Sequence, residues 1–374
     1  MISFELTESQ AMVRDVVRGL AKNELRERAR ACDEASRCPE ELLERSWQLG
    51  LVSAGIPEAL GGGRAGENGE GGEPTTHAIV LEELGYGCAS LGAMVMAPLQ
   101  LVRPLLDFGT EAQKKEYLPL FTAERYRVAS IALHEPWFGF DPSQLRTTAV
   151  RQGDHYVLRG EKHLVPMADR SSHFLVIARE NEPGLSGLSA FIVPRDAQGL
   201  SVHGEIEQTI GFQAMPWGRL TLNDLRAPLA WRLGGEQGID GRRLLASLRV
   251  GGAALCVGLA RAVTELATSY AKERVAFGEP IAKKQAIAFM IADMQTEVES
   301  MRWLVWKAAS ELERGVDATR SSVIAQDYVA RKTMKIADDG IQVFGGHGFI
   351  RDYPLELWFR NARVLTVHEG PVCV

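Results

Sequence analysis

The spacing of apolar positions changes twice along the chain. In residues 1–122 it is helical: Met12, Val13, Val16, Val17 and Leu20 fall three and four apart. Just before them, Leu6-Thr7-Glu8-Ser9-Gln10 sets Thr7 and Gln10 at capping-box spacing, so a helix is predicted to start there. Pro39-Glu40-Glu41 predicts another start, with proline in the first turn and acids near the positive end of the helix dipole. Gly61 to Gly72 is dense in Gly and Glu and reads as a surface loop. In residues 123–235 the period falls to two. Thr147–Val150, the turn Gly153-Asp154 and Tyr156–Leu158 predict a hairpin, and Phe174–Ala178, Leu188–Val193, Gly199–Val202 and Arg219–Leu222 predict further strands. In residues 236–374 the period is helical again, over Leu244–Arg274, Lys284–Arg314 and Ser321–Phe344. Long helices in series suggest an antiparallel bundle. The expected fold is α+β: an N-terminal helical domain, a middle β-barrel or sandwich, and a C-terminal four-helix bundle, without internal repeats.

Composition narrows the classes. The 374 residues are 45% hydrophobic and 24% charged, so a large core is available and general disorder is excluded. A net charge of -6 is against nucleic-acid binding, which needs a basic face. No apolar run approaches the ~20 residues of a membrane span, so no membrane partner is expected. The start MISFELTESQ has neither signal-peptide nor transit-peptide character, which points to the cytoplasm. The five cysteines, Cys32, Cys38, Cys88, Cys256 and Cys373, are scattered without a C-x-x-C pair, so neither disulfides nor a metal site is expected.

Five stretches then carry a family resemblance. They are Leu49-Gly50-Leu51 through Ile56-Pro57-Glu58 to Glu82-Glu83-Leu84-Gly85-Tyr86-Gly87-Cys88; Tyr117-Leu118-Pro119 with Glu135-Pro136 and Gly139-Phe140-Asp141; Gly160-Glu161-Lys162; Glu273-Arg274-Val275-Ala276-Phe277-Gly278 with Pro280, Ile281 and Gln285; and Gln342-Val343-Phe344-Gly345-Gly346-His347-Gly348-Phe349 with Tyr353-Pro354, Arg360–Arg363 and His368-Glu369-Gly370. Their order over nearly the whole chain resembles the acyl-CoA dehydrogenases.

The resemblance implies an FAD enzyme that removes the α-proton of an acyl-CoA thioester, or an acyl carrier protein thioester, and passes the β-hydrogen to flavin N5 as hydride. Electrons then go to an electron-transfer flavoprotein. Glu369 stands at the family's usual base, where the neighbouring Gly370 allows close approach to the substrate. Arg249 and Phe140 fall at substrate positions. Arg274, Phe277, Gln285, Gln342, Val343, Gly345 and Gly346 match the contacts made to the dinucleotide of a neighbouring subunit, and Leu133, His134, Val165 and Pro166 match those to the flavin ring. Contacts of that kind imply an oligomer, a homotetramer or a heterotetramer. Met94, Met96 and Leu99 lie in the stretch that shapes the acyl-pocket floor in the family, though core packing explains them equally well.

The pattern departs from the family at the flavin. His134 replaces a threonine, Pro166 replaces the threonine expected to donate to N5, and Leu164 replaces an aromatic residue. Phe140 stands where a serine is usual. Pro371 follows Gly370 where threonine is usual, and the family's further C-terminal helix is not represented before Val374. Three readings therefore stay open: a dehydrogenase with an altered flavin pocket; a catalytically incomplete subunit that completes a partner's flavin site through Arg274; or a same-fold oxidase, monooxygenase or lyase.

Overall fold

The computed structural model describes residues 5–63, 73–180, 183–204 and 207–374. The chain begins with α1 (Glu8–Leu20), which the predicted capping box opens: the Thr7 hydroxyl accepts from the Gln10 N–H at 3.2 Å, and the Gln10 side chain accepts from the Thr7 N–H at 3.1 Å. Next come α2 (Glu27–Glu34), α3 (Glu40–Trp47), α4 (Pro74–Val95), α5 (Leu99–Phe108) and α6 (Glu111–Tyr117). Pro39 caps α3 from outside rather than lying in its first turn. Of the predicted loop Gly61–Gly72, all but Gly61 to Gly63 lies outside the described residues.

The middle of the chain forms one curled, mixed sheet of seven strands. These are β1 (Ala129–Ala132), β2 (Thr148–Gln152), β3 (His155–Pro166), β4 (His173–Arg179), β5 (Leu188–Pro194), β6 (Leu200–His203) and β7 (Trp217–Pro228). The predicted hairpin is present, with β2 and β3 antiparallel and Val150 opposite Val157. β1 and β4 are parallel, while β3–β7, β6–β7 and β4–β5 are antiparallel. Alternation assigns the faces. Phe174, Val176 and Ala178 enter the interior of the curled sheet, whereas Leu175 and Ile177 join the core shared with the helices.

The C-terminal part contains three long helices, α7 (Gly241–Glu273), α8 (Gln285–Glu313) and α9 (Thr319–Phe344), followed by the short α10 (Gly346–Phe349) and α11 (Leu355–Leu365). The fourth member of the bundle is thus the short α11, packed on α7 and α9. α4 also packs along α7, and glycines permit the crossing: a Cβ on Gly258 would lie 1.9 Å from the Glu82 carbonyl oxygen, and one on Gly85 would lie 2.3 Å from that of Leu255. Arg261 and Arg302 bind Glu82, and Arg18 and Arg261 bind Glu83, so the two buried carboxylates tie α1, α4, α7 and α8 together.

Contrary to the sequence expectation, α4 and α7 are long and apolar enough to cross a bilayer, with mean hydropathy of 1.3 and 1.4 over their best windows. Those windows are 100% and 89% buried inside the fold, and each helix serves as a wall for the other.

Candidate active site

Two clusters gather the residues singled out from the sequence. The first surrounds Glu369. Arg249, two turns into α7, directs both Nε (2.7 Å) and Nη2 (2.6 Å) at Glu369 Oε1. The two side chains are 13% and 18% exposed, so the pair is strongly shielded yet reachable. The sequence expectation put Arg249 on the CoA side of the site, whereas here it holds the carboxylate itself. No hydrogen bond reaches Glu369 Oε2 among the described residues, which leaves that oxygen available to take a proton.

The Glu369 N–H donates to His134 Nε2 at 3.1 Å. A neutral His134 must then carry its proton on Nδ1. His368 stacks on His134 with ring centroids 4.1 Å apart, Trp217 packs against His368 at 4.8 Å, and Phe140 against His134 at 4.6 Å. Burial holds both histidines neutral. It pushes His134 well below its ordinary value, helped by the nearby His368, Lys162 and His163, and it pushes His368 down to about 4.

Beneath this stack a buried ion pair fixes the His134 loop. Lys162 Nζ lies 2.9 Å from Glu135 Oε1 and 3.1 Å from the Leu133 carbonyl, and both charged side chains are 0% exposed. Glu135 also accepts from the Arg146 and Thr147 N–H groups. Burial pulls Lys162 down to about 8 against the attraction of Glu135. Burial would raise Glu135, but Lys162 and the N–H donors outweigh it and hold the carboxyl below its usual range. Val165 and Pro166 are buried beside this loop at the end of β3. Leu164 and Met167 flank them at φ +48°, a left-handed conformation that is strained for such side chains, and the β3–β7 register slips there.

The second cluster is an open groove of about 490 Å³ at the far end of α7. It brings together Arg274, Phe277, Gln342, Val343, Gly345 and Gly346, residues that the family resemblance puts at the dinucleotide. Arg274 has no ion-pair partner among the described residues. Phe277, at φ +54°, is fully exposed on the tip of a two-residue hairpin. Gln285 departs from the expectation: it is exposed at the start of α8 and does not line the groove, where Lys284 and Ile287 stand instead. The groove's other walls are aromatic, with Tyr270 stacked on Phe344 at 3.8 Å.

Sequence reasoning missed His368 and Trp217 as residues of the site. His368 was readable as the neighbour of Glu369. Trp217 was not, because only the β3–β7 pairing brings it there.

The comparisons agree with the fold. Family models for the acyl-CoA dehydrogenase N-terminal domain, middle domain and C-terminal domain match residues 7–125, 130–225 and 241–372. The chain is 34% identical over 374 residues to a short-chain specific acyl-CoA dehydrogenase of Clostridium acetobutylicum, covering 99% of this chain and 96% of the relative. It is 34% identical over 370 residues to the caffeyl-CoA reductase-Etf complex subunit CarC of Acetobacterium woodii, covering 97% and 95%. The butyryl-CoA dehydrogenase structure from Megasphaera elsdenii superposes with a TM-score of 0.89 at 28% identity, covering 99% and 96%.

The family is FAD-dependent, and the residues present fit that group at both ends. The groove offers an unpaired guanidinium beside aromatic walls, and among the described residues, chain neighbours aside, no atom lies within 4 Å of where a Cβ would stand on Gly345 or Gly346. At the other end, Trp217 Nε1 and His368 Nδ1 are buried without hydrogen-bond partners among the described residues, an orphan donor and an orphan acceptor beside Val165 and Pro166. The chain belongs to the acyl-CoA dehydrogenase family, whose members are FAD-dependent oxidoreductases.

Proposed function

We propose that this protein dehydrogenates an acyl-CoA thioester at the Cα–Cβ bond, with Glu369 as the base. The observation that carries the reading is the geometry of that carboxylate. Arg249 occupies Oε1 and fixes its direction, Oε2 is left for the proton, and His134 holds the backbone N–H of the same residue. A base held in place before substrate arrives loses little freedom at the moment of proton transfer. Bound FAD supplies the hydride acceptor at N5. Leu133, His134, Val165 and Pro166 would wall the ring, Trp217 and His368 would offer it a donor and an acceptor, and Phe140 packs on His134. The buried Lys162–Glu135 pair keeps that wall in register.

α7 supports a role for a second copy. Arg249 and Arg274 are 25 residues apart on or next to this one helix, or roughly 37 Å at 1.5 Å per residue. One dinucleotide does not reach from Glu369 to Arg274 of the same chain. Arg274, Phe277 and Gln342–Gly346 therefore hold the cofactor of a neighbouring subunit. The name of the Acetobacterium relative, a subunit of a reductase-Etf complex, supports an electron-transferring flavoprotein as the redox partner.

A second reading is that of a subunit whose main task is to complete a partner's flavin site. It is favoured by the absence of a hydroxyl donor at His134 and Pro166. Flavin content separates the two. Chain expressed alone and yellow, with absorption bleached anaerobically by an acyl-CoA, supports the first; chain that takes up FAD only beside a second homologue supports the other.

A further inference from the structure

Immediately after Glu369 the backbone turns inward. Gly370 takes φ +96° against the Leu248 carbonyl, where a Cβ would lie 2.2 Å from the oxygen. Pro371, Val372, Cys373 and Val374 then run fully buried between α5 and α7. Their seat is shaped for a strand of backbone. The Gln100 amide donates to the Pro371 carbonyl at 2.6 Å, while its oxygen accepts from the Ile131 N–H at 2.8 Å, so one buried side chain ties the segment to β1. The Ser247 hydroxyl bonds both the N–H and the carbonyl of Val374, at 3.2 and 3.0 Å. α7 is notched where the segment crosses it: a Cβ on Gly251 would come within 2.2 Å of the Val372 carbonyl oxygen. On the α9 side of Arg249, His368 and Gly370 there is a slit of only about 10 Å³, too small for an acyl group as it stands.

We infer that the Gly370–Val374 segment is the inner wall of the acyl site and restricts it to small acyl groups of a few carbons. The inference rests on the reading of Glu369 as base. The reacting Cα must sit at the Glu369 carboxylate, so every further acyl carbon directed inward meets backbone held by Gln100 and Ser247. A short group is accommodated by side-chain adjustment. A long one must unseat four buried residues and orphan the Gln100 amide, which is costly in an apolar interior. Selectivity is therefore steep, with each methylene beyond the limit rejected roughly tenfold or more.

Two measurements on the full-length, FAD-loaded protein test this. The first is kcat/KM, read by flavin bleaching, for butyryl-, hexanoyl-, octanoyl- and lauroyl-CoA in wild type and in Gly251→Ala, whose new methyl displaces the Val372 carbonyl. The second is alkylation of Cys373 by iodoacetamide in the native state, located by mass spectrometry. Burial pushes this thiol up to about 12, so a seated segment leaves it unreactive. Wild type is expected to prefer butyryl- over octanoyl-CoA by roughly 100-fold or more, with Cys373 protected. Gly251→Ala is expected to expose Cys373 and to narrow the preference. The inference is overturned if wild type uses octanoyl-CoA as well as butyryl-CoA, or if its Cys373 reacts at the rate of an exposed thiol. It is also overturned if Gly251→Ala exposes Cys373 without changing the preference. If Gly251→Ala does not fold, the wild-type profile and labelling decide alone. If no acyl-CoA bleaches the flavin at all, the dehydrogenase reading fails instead. Binding of the same esters to Glu369→Gln, followed by calorimetry, then decides the wall by its chain-length dependence.

Discussion

Replacing His368 with phenylalanine should make the protein more resistant to acid. His368 is fully buried between His134 and Trp217, and burial lowers its pKa from 6.5 to about 4. Unfolded, the ring takes up a proton below pH 6.5; folded, it stays neutral until about pH 4. Between those values the unfolded state binds more protons, so stability falls as pH falls. At pH 5.0 the gap is 1.5 pH units, or about 2 kcal/mol lost to this one ring at 1.36 kcal/mol per unit. His77, buried in α4 with both ring nitrogens unpartnered and lowered to about 3, contributes a loss of similar size, and His134 acts in the same direction. Wild type should therefore lose at least about 4 kcal/mol of unfolding free energy between pH 7.5 and 5.0. The held-down carboxylates, Glu135 among them, take up protons only below pH 4.5 and add little in this window. His368→Phe keeps a flat ring in the stack but cannot titrate, so its loss should be smaller by about 2 kcal/mol. Urea unfolding at the two pH values measures both. An identical drop in wild type and variant would refute the buried, neutral assignment of His368.

Three further outcomes are expected. Lys162→Met should cost roughly 3–5 kcal/mol in urea unfolding, because it leaves the Glu135 carboxylate buried without its cation. Arg249→Gln should lower kcat roughly 10- to 100-fold with little change in flavin content, since it frees the carboxylate from its fixed direction without touching the dinucleotide groove. Arg274→Ala should do the reverse: the protein should lose FAD on gel filtration, while added FAD restores much of its turnover.

Much of this architecture is legible in residue spacing. The capping box at Thr7 and Gln10, the turn at Gly153-Asp154 and the change of period near residues 123 and 236 reflect local physics that the neighbouring residues settle among themselves. The residues around Arg274 meet in one groove because they lie in two short contiguous motifs, which the family resemblance, not their spacing, singles out. The surroundings of Glu369 were less legible. That Arg249 would face the carboxylate rather than the CoA side depends on how the last turn of chain lies against α7. Gln285 was misplaced because motif proximity does not say which face of a helix start is presented. α4 does not stand out as a long apolar run because Glu82 and Glu83 interrupt it, yet they are buried against Arg18, Arg261 and Arg302. Long-range pairs of that kind leave no local periodicity to read.

The account turns on Glu369, and the most direct measurement is anaerobic reduction of the FAD-loaded protein by a short acyl-CoA, wild type beside Glu369→Gln. The account predicts rapid bleaching of the flavin in wild type. In the variant, flavin should remain bound at full occupancy while bleaching slows by roughly 100-fold or more, as removal of a general base requires. Bleaching at the wild-type rate in Glu369→Gln would contradict it.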